Sequence, residues 1–123
     1  MKKICLILLA HGSPDPRWLT PFEKLTETLK AACGNERVRL AYLEFTVPTL
    51  YEAASAAARS GFCHLRILPL FMAGGGHVDR DIPVQVEQLV WELPEVVIDI
   101  LPPVGEDPRV VAAIGDIATE ALR

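Results

Sequence analysis

The 123-residue sequence lacks the features that mark two common classes of protein. It has no basic run, since 12 Lys and Arg stand against 16 Asp and Glu and the formal net charge is −4. Nucleic acid binding depends on clustered cations that neutralise phosphates, so we do not expect a nucleic acid partner. No apolar stretch approaches the roughly 20 residues that span a bilayer, so we expect no membrane segment.

Cysteine is scarce, and its spacing is irregular. The three cysteines, Cys5, Cys33 and Cys63, are odd in number and share no short spacing, which argues against a disulfide framework. Cys5 lies inside an apolar run, where a thiol usually behaves as a small buried hydrophobe. This cysteine usage favours a reduced, cytoplasmic protein. Cys63 and His64 are adjacent, and neighbours on a strand point to opposite faces, so we expect no metal site there.

Four apolar runs alternate with four helical patterns along the chain. The runs predict strands at residues 3–10, 38–45, 64–71 and 97–101. The expected helix starts are Thr20 as an N-cap, Pro48 as a first residue, Asp81 as an N-cap and Asp107 as an N-cap. The fourth helix carries an apolar stripe of Val110, Val111, Ile114, Ile117, Ala118 and Ala121.

The order βαβαβαβα in a chain of single-domain length predicts an α/β fold. We expect a four-stranded, doubly wound parallel sheet between two layers of helices, which makes a three-layer sandwich. In the common strand order 2-1-3-4, the first and third strands are neighbours, and their connections leave toward opposite faces of the sheet. Ligands of such sheets bind beyond the carboxyl ends of these two strands.

Two histidines follow the strands that this order makes neighbours. His11 comes directly after the first strand, and His77 follows three glycines after the third. Imidazole is a common ligand of transition metals and moves protons near neutral pH. The pair therefore predicts metal or proton chemistry at one edge of the sheet. The alternative for His11 is a loop histidine whose nitrogens bond to backbone carbonyls.

Three further features accompany the histidines. Glu44, near the end of the second strand, is a candidate proton acceptor, with an exposed edge-strand charge as the equal alternative. The glycines at 74–76 favour close approach of the backbone to a flat or anionic ligand over a merely flexible connector. Arg80, three residues after His77, is a candidate contact for a ligand carboxylate, although such arginines are most often solvated.

These motifs resemble the short form of the sirohydrochlorin chelatases, the CbiX type, which insert a divalent metal into a tetrapyrrole. The resemblance covers essentially the whole chain, and the segments that carry it are residues 10–13, 43–49 and 70–83. It implies a chelatase-type α/β sandwich in which residues 1–123 form one lobe. Long members of the family carry two such lobes in one chain, and short members pair as homodimers.

The resemblance also implies roles for particular residues. His11 and His77 would bind the incoming metal, and His11 would accept pyrrole protons. Glu44, a candidate from its place near the end of the second strand, would be the accompanying catalytic carboxylate. The implied lining of the tetrapyrrole site consists of Met72, Ala73, Gly74, Gly75, Gly76 and His77. Ser13, in the motif that contains His11, is a further candidate for substrate binding. The metal substrate is expected to be Co²⁺, with Fe²⁺ or Ni²⁺ as alternatives, and no organic cofactor is expected.

Two other functions compete with metal insertion. A protein that carries metal or tetrapyrrole without catalysis would use the same histidines. An α/β-hydrolase also places His-Gly after a first strand, but its nucleophile elbow, Gly-x-Ser-x-Gly, is missing from this sequence. The hydrolase hypothesis therefore ranks below the carrier hypothesis.

Two positions depart from the pattern of many relatives. Pro14 stands where they have arginine, and Arg17 follows three residues later, which implies that a basic contact to substrate is lost or moved. Val47 stands where many have a glutamate before the proline of the second helix. Glu44 is then the remaining candidate carboxylate.

Overall fold

A computed structural model describes residues 4–74 and 77–123, and it leaves the side chains of residues 77–80 outside the description. Strands and helices alternate within these ranges. The strands are β1 (Ile4–Ala10), β2 (Val38–Tyr42), β3 (His64–Pro69) and β4 (Val97–Ile100). The helices are α1 (Thr20–Cys33), α2 (Leu50–Arg59), α3 (His77–Glu92) and α4 (Pro108–Glu120). Short 3-10 turns lie at Pro16–Trp18 and Val104–Glu106.

The strands form one parallel sheet in the order β2-β1-β3-β4, which confirms the predicted α/β fold and strand order. β1 is central, because Ile7 lies opposite Arg39 of β2 and opposite Ile67 of β3. Leu8 and Leu9, which point to opposite faces, are both buried. The continuous apolar run of β1 therefore reflects burial on both faces of the sheet.

The main core lies between the sheet and helices α2 and α3. Three buried alanines of α2, Ala53, Ala54 and Ala57, bring this helix close to β1 and β2, as the alanine-rich sequence predicts. Leu89 of α3 and Leu65 of β3 are buried in the same cluster. None of the helices within the described ranges has the length and apolarity that a bilayer crossing requires.

Two helices begin earlier than their sequence signals indicate. Thr20 is the first residue of α1, and the capping position belongs to Leu19, which forms no side-chain cap. α3 begins at His77, four residues before the expected cap Asp81, and Pro83 lies inside it. Proline has no N–H, so Pro83 costs the helix the one backbone bond to the carbonyl four residues earlier. The turn before it can still be helical, because the other residues keep their N–H groups. His77 therefore stands at a helix start rather than in a loop.

The second strand ends earlier, and the second helix begins later, than predicted. β2 stops at Tyr42, whose N–H donates to the carbonyl of Pro48 at 2.9 Å, so the chain between them forms a closed loop. The first residue of α2 is Leu50 rather than Pro48, and Thr49 is its N-cap. The Thr49 hydroxyl accepts from the Glu52 N–H at 3.1 Å, and the Glu52 carboxylate accepts from the Thr49 N–H at 3.0 Å. This reciprocal pair is a capping box.

α4 starts where predicted but packs differently from the other helices. The Asp107 carboxylate caps it by accepting from the Arg109 N–H at 2.8 Å. An apolar stripe on a helix usually faces a core. Here every residue from Val111 onward is exposed, and α4 packs mainly on the 3-10 turn Val104–Glu106. The structure therefore leaves the apolar stripe of α4 open to solvent.

Candidate functional site

The carboxyl ends of β1 and β3 meet at one edge of the sheet. The Leu70 N–H donates to the Leu9 carbonyl at 2.8 Å, which extends the pairing beyond β3. The ring of His11 packs against Phe71, with centroids 4.2 Å apart and planes tilted by 46°. Phe71 is buried, whereas His11 is exposed. A residue that follows β3 thus supports the imidazole that follows β1, and the ring remains accessible to a ligand.

The loop after β2 lies directly against His11. The Leu43 N–H donates to the Ala10 carbonyl at 2.8 Å, and the Glu44 N–H donates to the His11 carbonyl at 3.0 Å. The Glu44 side chain is exposed, and its carboxylate bonds to no residue in the described ranges. The structure therefore brings Glu44 beside His11 through the backbone, with a free carboxylate rather than one bonded to the imidazole.

Gly12 makes this close approach possible. Its φ is +91°, and a Cβ added to it would lie 1.9 Å from the carbonyl oxygen of Glu44. A side chain at this position would face both the left-handed backbone conformation and a filled space. Gly12 is therefore required by the contact between the two loops, in addition to its place in the motif with His11.

The sequence did not indicate a role for Gly105, whose backbone packs against the start of the predicted lining segment at Met72. Its N–H donates to the Phe71 carbonyl at 2.9 Å, and an added Cβ would lie 2.1 Å from the Met72 carbonyl oxygen. The turn after β4 thus rests on the backbone that leads into the glycine-rich segment. A glycine two residues after a pair of prolines indicates only a turn, so this contact has no signature in the sequence.

Ser13 and Arg17 belong to one tightly bonded turn after His11. The Ser13 hydroxyl accepts from the Asp15 N–H at 3.0 Å. Arg17 donates to the Asp15 carboxylate from Nε at 3.1 Å and from Nη2 at 2.7 Å. These bonds from the Arg17 side chain, and then the one from its backbone N–H, lower the pKa of Asp15. The guanidinium is exposed and keeps its remaining donors for another anion.

The predicted lining segment is described only in part. Met72, Ala73 and Gly74 are exposed. Gly75 and Gly76 lie outside the described residues, as do the side chains of His77 and Arg80. Among the side chains that are described, no three His, Cys, Asp or Glu residues converge as a metal site. A metal site shared by His11 and His77 stays a prediction.

The cysteines and His64 behave as structural residues. Cys5 is fully buried, and that burial raises the pKa of its thiol. Cys33 and Cys63 are exposed and unpaired. His64, at the other end of β3 from the site, places Nε2 2.5 Å from Oδ2 of Asp99 on β4.

Comparison with known proteins assigns the family. The chain matches the CbiX family model over residues 5–121. It is 31% identical, over 118 residues, to the sirohydrochlorin cobaltochelatase of Sulfurisphaera tokodaii, and the match covers 96% of this chain and 93% of that relative. The solved CbiX protein of Marinobacter aquaeolei is 38% identical, with a TM-score of 0.85 and 97% coverage of both chains.

A longer chelatase shares the fold. The cobalt complex of the sirohydrochlorin chelatase SirB from Bacillus subtilis subspecies spizizenii is 24% identical, with a TM-score of 0.83. The match covers 98% of this chain but only 51% of SirB, so this chain corresponds to about half of that protein. The family model covers almost the entire sequence, and the relatives agree with it: the chain belongs to the CbiX family.

Proposed function

We propose that this protein is a sirohydrochlorin chelatase that inserts a divalent metal into sirohydrochlorin during cobalamin biosynthesis, with Co²⁺ as the preferred metal. The observation that carries the proposal is the near full-length match to a sirohydrochlorin cobaltochelatase. The exposed imidazole of His11, supported by Phe71 at the carboxyl edge of the sheet, suits the same chemistry. Metal insertion must replace water around the ion and remove two protons from pyrrole nitrogens, and imidazole serves both steps.

The proposed mechanism divides these tasks among groups at one sheet edge. His11 and His77 bind the incoming ion, and His11 accepts a pyrrole proton once the ion moves to the macrocycle. The free carboxylate of Glu44, whose backbone bonds to His11, accepts protons at the same edge. Ser13 and residues 72–77 line the macrocycle. The backbone N–H groups of the glycines offer donors to its carboxylates in a chain of net negative charge.

Cobalt is the proposed metal substrate because the matched relative is a cobaltochelatase. Imidazole nitrogen also accepts Fe²⁺ and Ni²⁺, so the ligands alone do not select cobalt. We infer a cytoplasmic location, because the three cysteines are unpaired, and free thiols fit a reducing compartment.

Turnover distinguishes a chelatase from a carrier. The purified protein is mixed anaerobically with sirohydrochlorin and Co²⁺, and the change in the tetrapyrrole absorption spectrum is followed. We expect a rate well above that of metal and substrate alone, and a higher rate with Co²⁺ than with Ni²⁺ or Fe²⁺. An uncatalysed rate would contradict the enzyme, and sirohydrochlorin binding without turnover would support the carrier.

We propose that two copies of this single-lobe chain pair through the apolar stripe of α4. Val111, Ile114 and Ile117 are 57%, 42% and 69% exposed, although they follow the spacing of a buried helix face. Monomeric proteins rarely leave a continuous apolar patch of this kind uncovered. The chain also matches about half of the longer SirB, so two copies of it together would have about the length of SirB.

A charge placed on the stripe should separate the two copies. Ile114→Asp is expected to convert the dimer to a monomer, because a carboxylate in an apolar interface loses its hydration without gaining a partner. Ala112→Asp adds the same charge to the exposed opposite face of α4 and should leave the dimer intact. Light scattering at micromolar concentration measures both. A monomeric wild type, or an Ile114→Asp variant that stays dimeric, would contradict the interface.

A further inference from the structure

Phe45 combines two unfavourable features. Its φ is +70°, in the left-handed region that disfavours any residue with a large side chain. Its side chain is 69% exposed, although aromatic residues contribute most to stability when they are buried. Glycine or asparagine would fit this backbone better. Strain of this kind persists when the surroundings enforce it, and it clusters at ligand sites.

The surrounding loops hold Phe45 in place on both sides. On one side, the preceding residue Glu44 donates its N–H to the His11 carbonyl, and its own carbonyl fills the space above Gly12. On the other side, the bond from the Tyr42 N–H to the Pro48 carbonyl closes the loop. The backbone of Phe45 is therefore anchored beside the imidazole that is proposed to react.

Exposed apolar side chains from three loops share this sheet edge. Trp18 follows β1, Phe45 and Val47 follow β2, and Met72 follows β3, and each is between 64% and 69% exposed. Single exposed apolar residues are ordinary on protein surfaces. Here they come from the carboxyl ends of three adjacent strands, which is the edge that carries His11. Such a rim suits a ligand that has a broad, flat, apolar face.

We propose that Phe45 is a substrate-binding residue that stacks on one face of the tetrapyrrole macrocycle and holds it over His11. This inference rests on the proposed function, because it takes sirohydrochlorin as the ligand. A macrocycle of conjugated rings offers the flat face that an aromatic side chain prefers. A ring on a strained but anchored backbone changes position little when ligand binds, so it sets the height of the macrocycle above the imidazole.

Binding of metal-free sirohydrochlorin tests this role without turnover. The shift of its absorption spectrum on titration with protein gives Kd. Phe45→Ala should raise Kd roughly tenfold, the size of one aromatic stacking contact, whereas Phe45→Tyr should bind like the wild type. Phe45→Gly should also lose binding, yet its melting temperature should equal or exceed that of the wild type, because glycine adopts φ of +70° without strain.

Trp91→Ala is the matched control. Trp91 is 80% exposed, but it lies at the end of α3, which runs back from the carboxyl edge, so its loss should leave Kd unchanged. If the wild type does not bind sirohydrochlorin, the proposed function fails, whatever Phe45 does. If the wild type binds sirohydrochlorin, and both Phe45→Ala and Phe45→Gly bind it with the Kd of the wild type, the proposed role of Phe45 is overturned. The proposed function is then unaffected. A monomeric Phe45→Ala variant would instead place the ring between copies of the chain and overturn stacking.

Discussion

The variant His11→Ala should lose metal insertion almost completely while it keeps its fold. A positioned general base contributes roughly 10²- to 10⁴-fold to a rate, and this variant also loses a proposed metal ligand. The His11 side chain is exposed and contacts the ring of Phe71, so its truncation to alanine removes little packing. We therefore expect kcat with Co²⁺ to fall by about 10²-fold or more, with the circular dichroism spectrum and melting temperature close to the wild type.

His64→Ala provides the matched control for this experiment. His64 lies at the opposite end of β3 and pairs with Asp99 on the neighbouring strand, away from the proposed site. Its removal should reduce stability slightly and leave kcat unchanged. An active His11→Ala variant would remove His11 from the proposed chemistry. An equal loss in both variants would show that the effect does not depend on the position of His11.

Gly12→Ala should strongly reduce stability, because it adds a methyl group where the loop after β1 meets the loop after β2. The new Cβ would lie 1.9 Å from the Glu44 carbonyl oxygen, on a backbone with φ of +91°. A side chain in the left-handed region costs about 1–2 kcal/mol, and the overlap must in addition push two bonded loops apart. We expect a loss of about 3 kcal/mol in the free energy of unfolding, measured by urea denaturation, together with reduced chelatase activity.

Gly61→Ala separates the two causes. Gly61 follows α2 with φ of +96°, and an added Cβ would meet nothing within 4 Å. This variant should lose only the backbone contribution, about 1 kcal/mol, and should keep its activity. The difference between the two variants then measures the contact between Gly12 and Glu44. If Gly12→Ala is no less stable than Gly61→Ala, the two loops are not in the close contact that the structure shows.

Local signals predicted the parts of the site that lie next to a strand end. The apolar runs located all four strands, and the order of strands and helices placed His11 at the edge where ligands of such sheets bind. Helix starts were predicted less accurately. Asp107 caps α4 as expected, but the Asp81 signal lies inside α3, because one turn of helix precedes its proline. A capping sequence indicates where a helix can begin, but contacts with other parts of the chain can make the helix begin earlier.

The sequence by itself determined the parallel sheet, its order and the edge that carries His11, because strand periodicity and the handedness of βαβ connections are properties of the local chain. Only the tertiary structure decided which backbones touch. The packing of Gly12 on Glu44, the packing of Gly105 on Met72, and the left-handed conformation of Phe45 all depend on loops that are distant in sequence. The apolar stripe of α4 is a further example. Its spacing is visible in the sequence, but its exposure depends on where the helix lies in the fold.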